Sequence, residues 1–176
     1  MKIIGFALCI AAFSPISVAA KTLAVSVDAR SGPWSQKANP KMPYGVGDEL
    51  PPLVVAGLEP DSGKVEIYPV GKTSVRGKDL DSEGNQDQEV DDSTGRNKTR
   101  FPSFYAPKIL YPAYAHGLVA TFIDAGGKIV GRPFMVGKGV RVSIPKQATG
   151  LALGFNDDSF ADNEGSMALE IVVPDE

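Results

Sequence analysis

Met167, Leu169, Ile171 and Val173 place an apolar side chain at every second position near the end of the chain. Successive side chains of an extended strand point to opposite faces, so this spacing puts all four on one face. The alternation recurs at Leu23, Val25 and Val27, at Val65 and Ile67, at Val140, Val142 and Ile144, and at Leu151, Leu153 and Phe155. Short apolar runs add Leu53-Val54-Val55, residues 118–123 and Phe134-Met135-Val136. Asp124-Ala125-Gly126-Gly127 spells a hairpin turn leading into Lys128-Ile129-Val130. No stretch repeats with the 3.6-residue period of a helix. The pattern predicts an all-β chain of about eight or nine short strands, folded as a single β-sandwich or jelly roll with little or no helix.

Two long stretches interrupt the strands. Residues 30–51 are rich in Pro and Gly, and residues 76–104 are polar. Between Arg76 and Asp92 seven carboxylates face two cations. Loops of this length are commonly functional or disordered.

The first twenty residues read as a secretory signal peptide. Lys2 is their only charge, an apolar run covers residues 3–13, and Val18-Ala19-Ala20 supplies a small-residue end. The apolar run is shorter than the roughly 20 residues a transmembrane helix needs, so no transmembrane segment is expected. Leu8 before Cys9 is the wrong neighbour for a lipidated cysteine. Cleavage after Ala20 gives a secreted or periplasmic protein, with a single domain over residues 21–176. That product has no cysteine, which excludes disulfides and thiol catalysis. Removing Lys2 from the 18 basic residues leaves 17 against 21 acidic ones, a net charge of −4. Such a balance carries no electrostatic footprint for nucleic acid or an anionic membrane.

The densest chemical signal is LALGFNDDSFADNEGSMALEIVV, residues 151–173. Two alternating strands flank a loop with four carboxylates and two amides within nine residues, 156–164. Crowded carboxylates repel one another unless a cation or ample solvent separates them. Ca2+ takes about six to eight oxygen ligands from carboxylates, amides, backbone carbonyls and water. Asp157, Asp162 and Asn163 offer side-chain oxygens, the Phe160 carbonyl offers another, and Gly165 lets the chain turn into the last strand. A solvated polar hairpin loop that binds nothing is the alternative.

GFNDDSFADNEGSMALEI resembles the calcium loop of the LecA-like, calcium-dependent galactose-binding bacterial lectins. Asn156-Asp157 correspond to that family's Asn-Asp pair, and Asp162-Asn163-Glu164-Gly165-Ser166 to its Asn-Asn-Ser-Gly-Ser element. The resemblance implies a galactose-binding-like sandwich and a Ca2+ ion held by Asp157, the Phe160 carbonyl, Asp162 and Asn163. It also implies a further carbonyl from an earlier strand, which falls at Val75. It implies a carbohydrate ligand as well, making the protein an exported calcium-binding lectin-like module. The rival is a calcium-stabilised structural or protein-interaction module of the cell envelope with no sugar site. The motif covers about a tenth of the chain. Elsewhere only the layout matches: an early strand, a segment containing Trp34, and Gly117-Leu118-Val119. Two departures stand out. Four residues separate Asp157 from Asp162, two fewer than in the lectins, and the lectins' His-Pro-x-Gln sugar segment is absent. His116, the one histidine, lies out of register for that role.

A second acidic run, residues 79–89, begins like a calcium loop, with oxygen side chains at positions 1, 3, 5 and 9 and Gly84 at position 6. Position 12, normally a bidentate Glu, is Val90. This run reads as a weak cation site or as a solvated acidic loop. Trp34, Tyr44, Phe101, Phe104, Tyr105, Tyr111 and Tyr114 offer sugar-stacking faces or a core beneath the loops. No Gly-x-Ser-x-Gly elbow accompanies His116, and a sandwich of this size leaves little room for a glycosidase cleft. The chain is expected to bind rather than catalyse.

Overall fold

The structure is a computed structural model that describes residues 20–90, 100–106 and 113–175. Residues 1–19 of the expected signal peptide and Tyr111 lie outside the described residues. Thirteen strands appear among those described: β1 (Ala20–Asp28), β2 (Leu53–Ala56), β3 (Lys64–Val70), β4 (Thr73–Val75), β5 (Lys78–Leu80), β6 (Asn85–Glu89), β7 (Tyr114–Ala115), β8 (Leu118–Ile123), β9 (Ile129–Met135), β10 (Val140–Ser143), β11 (Gly150–Phe155), β12 (Asn163–Glu164) and β13 (Ser166–Pro174). One 3-10 turn, Pro102–Phe104, is the helical content of these residues.

Eight strands build the sandwich. One antiparallel sheet runs β1-β13-β3-β10 and the other β2-β11-β8-β9. Apart from the β8–β9 hairpin, each step along these eight strands crosses from one sheet to the other, which is the wrapping of a jelly roll. The all-β sandwich expected from the period-2 pattern is therefore the observed fold. Register explains the core. Leu23, Val25 and Val27 oppose Ile171, Leu169 and Met167, and Ile67 opposes Ile171 on the other side. Leu118, Ala120 and Phe122 oppose Phe155, Leu153 and Leu151. These inward faces merge into one apolar cluster between the sheets. Asp124 closes the β8–β9 turn by accepting from the Gly126 and Lys128 N–H groups through one carboxylate oxygen.

The two sheets differ on their outer faces. The first leaves Ala24, Ser26, Tyr68, Val70, Ala168 and Glu170 exposed. In the second, β8 and β11 are buried along their whole lengths. Residues 30–51 lie across that second sheet as a strap. Phe155 N–H donates to the Ser31 carbonyl (2.8 Å), and a Cβ on Gly154 would overlap the Gly32 backbone. Glycine is required at 154 because another backbone occupies the space of its side chain. The strap is internally braced. Trp34 Nε1 donates to the Met42 carbonyl (3.0 Å), and the Tyr44 hydroxyl donates to the Trp34 carbonyl (2.7 Å). Asn39 ties it to the β8–β9 hairpin, donating to the Gly127 carbonyl (3.0 Å) and accepting from Ile129 N–H (2.9 Å). Trp34 and Tyr44 are buried edge to face, 5.1 Å apart. They are thus a loop core, not open stacking faces.

Five short strands went unseen in the sequence pattern. β12, β4 and β5 form one small sheet, and β6 pairs with β7. All but β12 sit before β8 in the region around 73–115, where two to five residues are too few for a period to show. Residues 76–104, expected to lack strands, contain β5 and β6.

Candidate functional site

The 156–164 loop leaves β11 and returns through β12 to β13. Its first residue is structural. Asn156 accepts from Ser103 N–H (2.8 Å) through its side-chain oxygen and donates to the Tyr114 carbonyl (3.0 Å). Backbone bonds then extend the β8–β11 ladder by one step. His116 N–H donates to the Asn156 carbonyl (2.7 Å), and Asn156 N–H donates to the Gly117 carbonyl (2.8 Å). His116 sits in the left-handed region there, φ 58°, and its imidazole lies flat on Phe155, 4.5 Å between centroids.

A chain of polar groups follows. His116 Nδ1 lies 3.1 Å from Asp157 Oδ2, and His116 Nε2 lies 2.8 Å from Thr73 Oγ1. The carboxylate accepts from Nδ1, and at Nε2 the ring shares a hydrogen bond with the Thr73 hydroxyl. Asn163 Nδ2 donates to the same Asp157 oxygen (3.1 Å) and to the Ala29 carbonyl (3.1 Å). The other oxygen, Asp157 Oδ1, accepts from the backbone N–H groups of Asp158 (2.8 Å) and Ser159 (3.4 Å). Thr73, His116, Asp157 and Asn163 are only 3, 1, 7 and 3 % exposed. Burial of polar groups is tolerable here because nearly every one has a partner.

One does not. Asn163 Oδ1 is buried and has no hydrogen-bond donor. The amide cannot be turned around to relieve this, because its nitrogen already serves two oxygen acceptors.

The five residues expected to hold calcium are neighbours, linked through strand register and hydrogen bonds. Val75 and Asn163 are register partners in β4 and β12. Arg76 N–H donates to the Asp162 carbonyl (3.1 Å), and Asn163 N–H donates to the Phe160 carbonyl (3.2 Å). Asp157 touches Asn163. Among the described residues no three His, Cys, Asp or Glu side chains are grouped to hold a metal. The expected set contains only two carboxylates, its other donors being one amide and two carbonyls. The Asp162 carboxylate is already engaged by the Arg76 guanidinium. That ion pair, with the charges of Asp157 and Asp158 beyond it, holds the guanidinium even more firmly protonated than usual.

A cleft of about 450 Å³ opens over this junction. The β4–β5 hairpin, β6, Phe101 and the acidic loop line it, contributing Asn85, Gln88 and Lys78 together with Asp157, Asp158 and Asp162. Asp48, in the strap, holds the loop from behind. Its carboxylate accepts from Phe160 N–H (3.1 Å), Ala161 N–H (3.0 Å) and the Ser159 hydroxyl (3.3 Å). Phe160 itself is fully buried against the Tyr44 ring.

Sequence reasoning missed Thr73, Arg76 and Asp48 and set His116 aside. Each contact spans 41 or more residues: 43 for Thr73 to His116, 41 for His116 to Asp157, 86 for Arg76 to Asp162 and 112 for Asp48 to Phe160. The one available signal was a lone histidine next to the apolar run 118–123.

The second acidic run does not form a cage. Asp81 turns its own backbone by accepting from Glu83 N–H (2.9 Å), and Glu83 pairs with Lys138 (3.1 Å). Lys78 reaches Asn85 (2.8 Å) and Asp87 (3.5 Å). Gly84 has φ 84°, and a Cβ there would overlap the Ala115 carbonyl and the Gly117 backbone. Its glycine is a packing requirement of the turn.

No protein-family model matches this chain, and no curated protein is significantly similar to it.

Proposed function

We propose that this protein is an exported, calcium-binding, lectin-like module, with the ion at the junction of β4 and the 156–163 loop. The observation that carries this is the orphaned Asn163 Oδ1. A buried acceptor without a donor costs about 1–3 kcal/mol, and a cation beside it would remove that cost. Val75 and Phe160 would contribute carbonyls, Asn163 its amide oxygen, and Asp157 and Asp162 carboxylates. The open cleft leaves room for water and a ligand. Bound Ca2+ would supply a hard Lewis acid able to take hydroxyl pairs of a sugar. Asn85 and Gln88 would offer the amides that fix its orientation, as polar groups in ligand clefts do.

Binding fits the polar chain better than catalysis does. Thr73, His116 and Asp157 are connected as in a hydrolase triad. The hydroxyl end is buried, however, and does not line the cleft. A nucleophile has to meet its substrate. Here the chain orients Asp157 instead, much as outer-shell partners orient metal ligands.

Elemental analysis of the purified protein, followed by a glycan array in calcium and in chelator, tests the proposal. About one calcium per chain and chelator-sensitive sugar binding are expected. Calcium without any sugar on the array leaves the structural-module rival; no calcium at all removes the metal. Export predicts a mature N-terminus at Lys21, read by mass spectrometry of the exported fraction.

A further inference from the structure

We propose that Arg76 is a tethered counter-cation that competes with the divalent ion for Asp162, so that the site alternates between an arginine-closed and an ion-open state. This rests on the calcium binding proposed above. The turn that carries Arg76 is the first argument. Val75 pairs with Lys78, which leaves Arg76-Gly77 as a two-residue hairpin loop, and their φ values are 51° and 77°. Such a loop needs left-handed backbone at both positions and favours Asn, Asp or Gly at the first. A long basic side chain there bears a steric cost that the turn itself does not require.

The second argument is where the turn delivers the charge. Its backbone N–H bonds the Asp162 carbonyl and its Nε bonds the Asp162 carboxylate. The residue immediately before it, Val75, is the register partner of Asn163. The guanidinium therefore sits beside the orphaned amide oxygen's strand, in the combined field of Asp157, Asp158 and Asp162. A calcium ion on Asp157 and Asp162 would share that carboxylate with the guanidinium, and like charges at that spacing repel. The guanidinium is the partner free to leave, because its side chain is 80 % exposed while that of Asp162 is 29 % exposed. Lys78 is held elsewhere, by Asn85 and Asp87. Arginine thus balances the loop's charge when the ion is absent and lowers the site's affinity when it is present.

Titration of the whole protein with calcium chloride in a calorimeter tests this. Arg76→Gln removes the charge and should lower the Kd about tenfold or more, whereas Arg76→Lys keeps the charge and should stay near wild type. Circular dichroism checks that both variants keep the β fold. If Arg76→Gln binds calcium no more tightly than wild type, the competition is refuted while calcium binding stands. If Arg76→Lys tightens binding as much as Arg76→Gln does, the turn and not the charge is responsible, and the proposal falls. If neither wild type nor Arg76→Gln takes up calcium, both the competition and the metal site fail together.

Discussion

Two carboxylate-rich segments border the same cleft, and they dispose of their negative charge in opposite ways. In residues 79–89 every carboxylate stays at least partly exposed. Asp81 caps its own turn, Glu83 and Asp87 reach lysines, and Asp79 and Glu89 are exposed. In residues 156–164 the chain turns a carboxylate inward, surrounds it with imidazole, amide and backbone donors, and leaves an amide oxygen without a partner. A row of acids in a sequence therefore says little by itself. What matters is whether the strands on either side bury the oxygens or expose them.

The largest expected effect separates the two segments by stability. Asp157→Ala strands the His116 and Asn163 donors in a buried site and should cost about 3 kcal/mol or more. Asp81→Ala loses a single local turn bond and should cost about 1 kcal/mol or less. Urea unfolding of both variants measures the contrast, and equal losses would break it.

Calcium should sharpen the same comparison. An ion bound only by the folded state stabilises it by about 2.7 kcal/mol when its free concentration is a hundredfold above Kd. For a domain of this size that is about 5–11 °C in Tm. Asp157→Asn should abolish most of the gain, and Asp79→Asn, in the other segment, should preserve it. Thermal melts in calcium and in chelator read this directly. A gain that survives Asp157→Asn and vanishes in Asp79→Asn would move the site to the first segment.

The inward loop also leans on the strap. Asp48→Ala removes an acceptor shared by two backbone N–H groups and a hydroxyl, and should cost about 2 kcal/mol. Tyr44, which packs on Phe160, adds a pH dependence. Burial, with the Glu49 carboxylate nearby, raises its hydroxyl well above the ordinary tyrosine value. The folded state then retains a proton that the unfolded chain loses at about pH 10. This contribution is complete below pH 10 and is lost as the pH climbs above it. Tyr44→Phe should flatten that part of the alkaline stability profile. The smallest effect belongs to the exposed segment, where Asp87→Asn breaks an open pair with Lys78 and should change stability by about 0.5 kcal/mol or less.

Much of this protein is written locally. Period-2 alternation and short apolar runs marked the sandwich strands, because a strand's faces are a property of consecutive residues. The hairpin at Asp124 was equally readable, since its turn bonds span two and four residues. Four of the five candidate ligands could be named because they lie within seven positions of one loop, 157–163, whereas Val75 came only from the resemblance. Tertiary structure alone decided the rest. β8 and β11, the central strands of the second sheet, are buried along their whole lengths, and nothing in GLALGF says that the strap will lie over them. Thr73, His116 and Asp157 meet only after the chain has wrapped from one sheet to the other and back. Arg76 faces Asp162 because β4 pairs with β12, a pairing between strands of three and two residues, too short to leave a pattern. Hydrogen bonds between distant segments depend on where the folded backbone puts them, and a local reading of side-chain spacing carries no information about that.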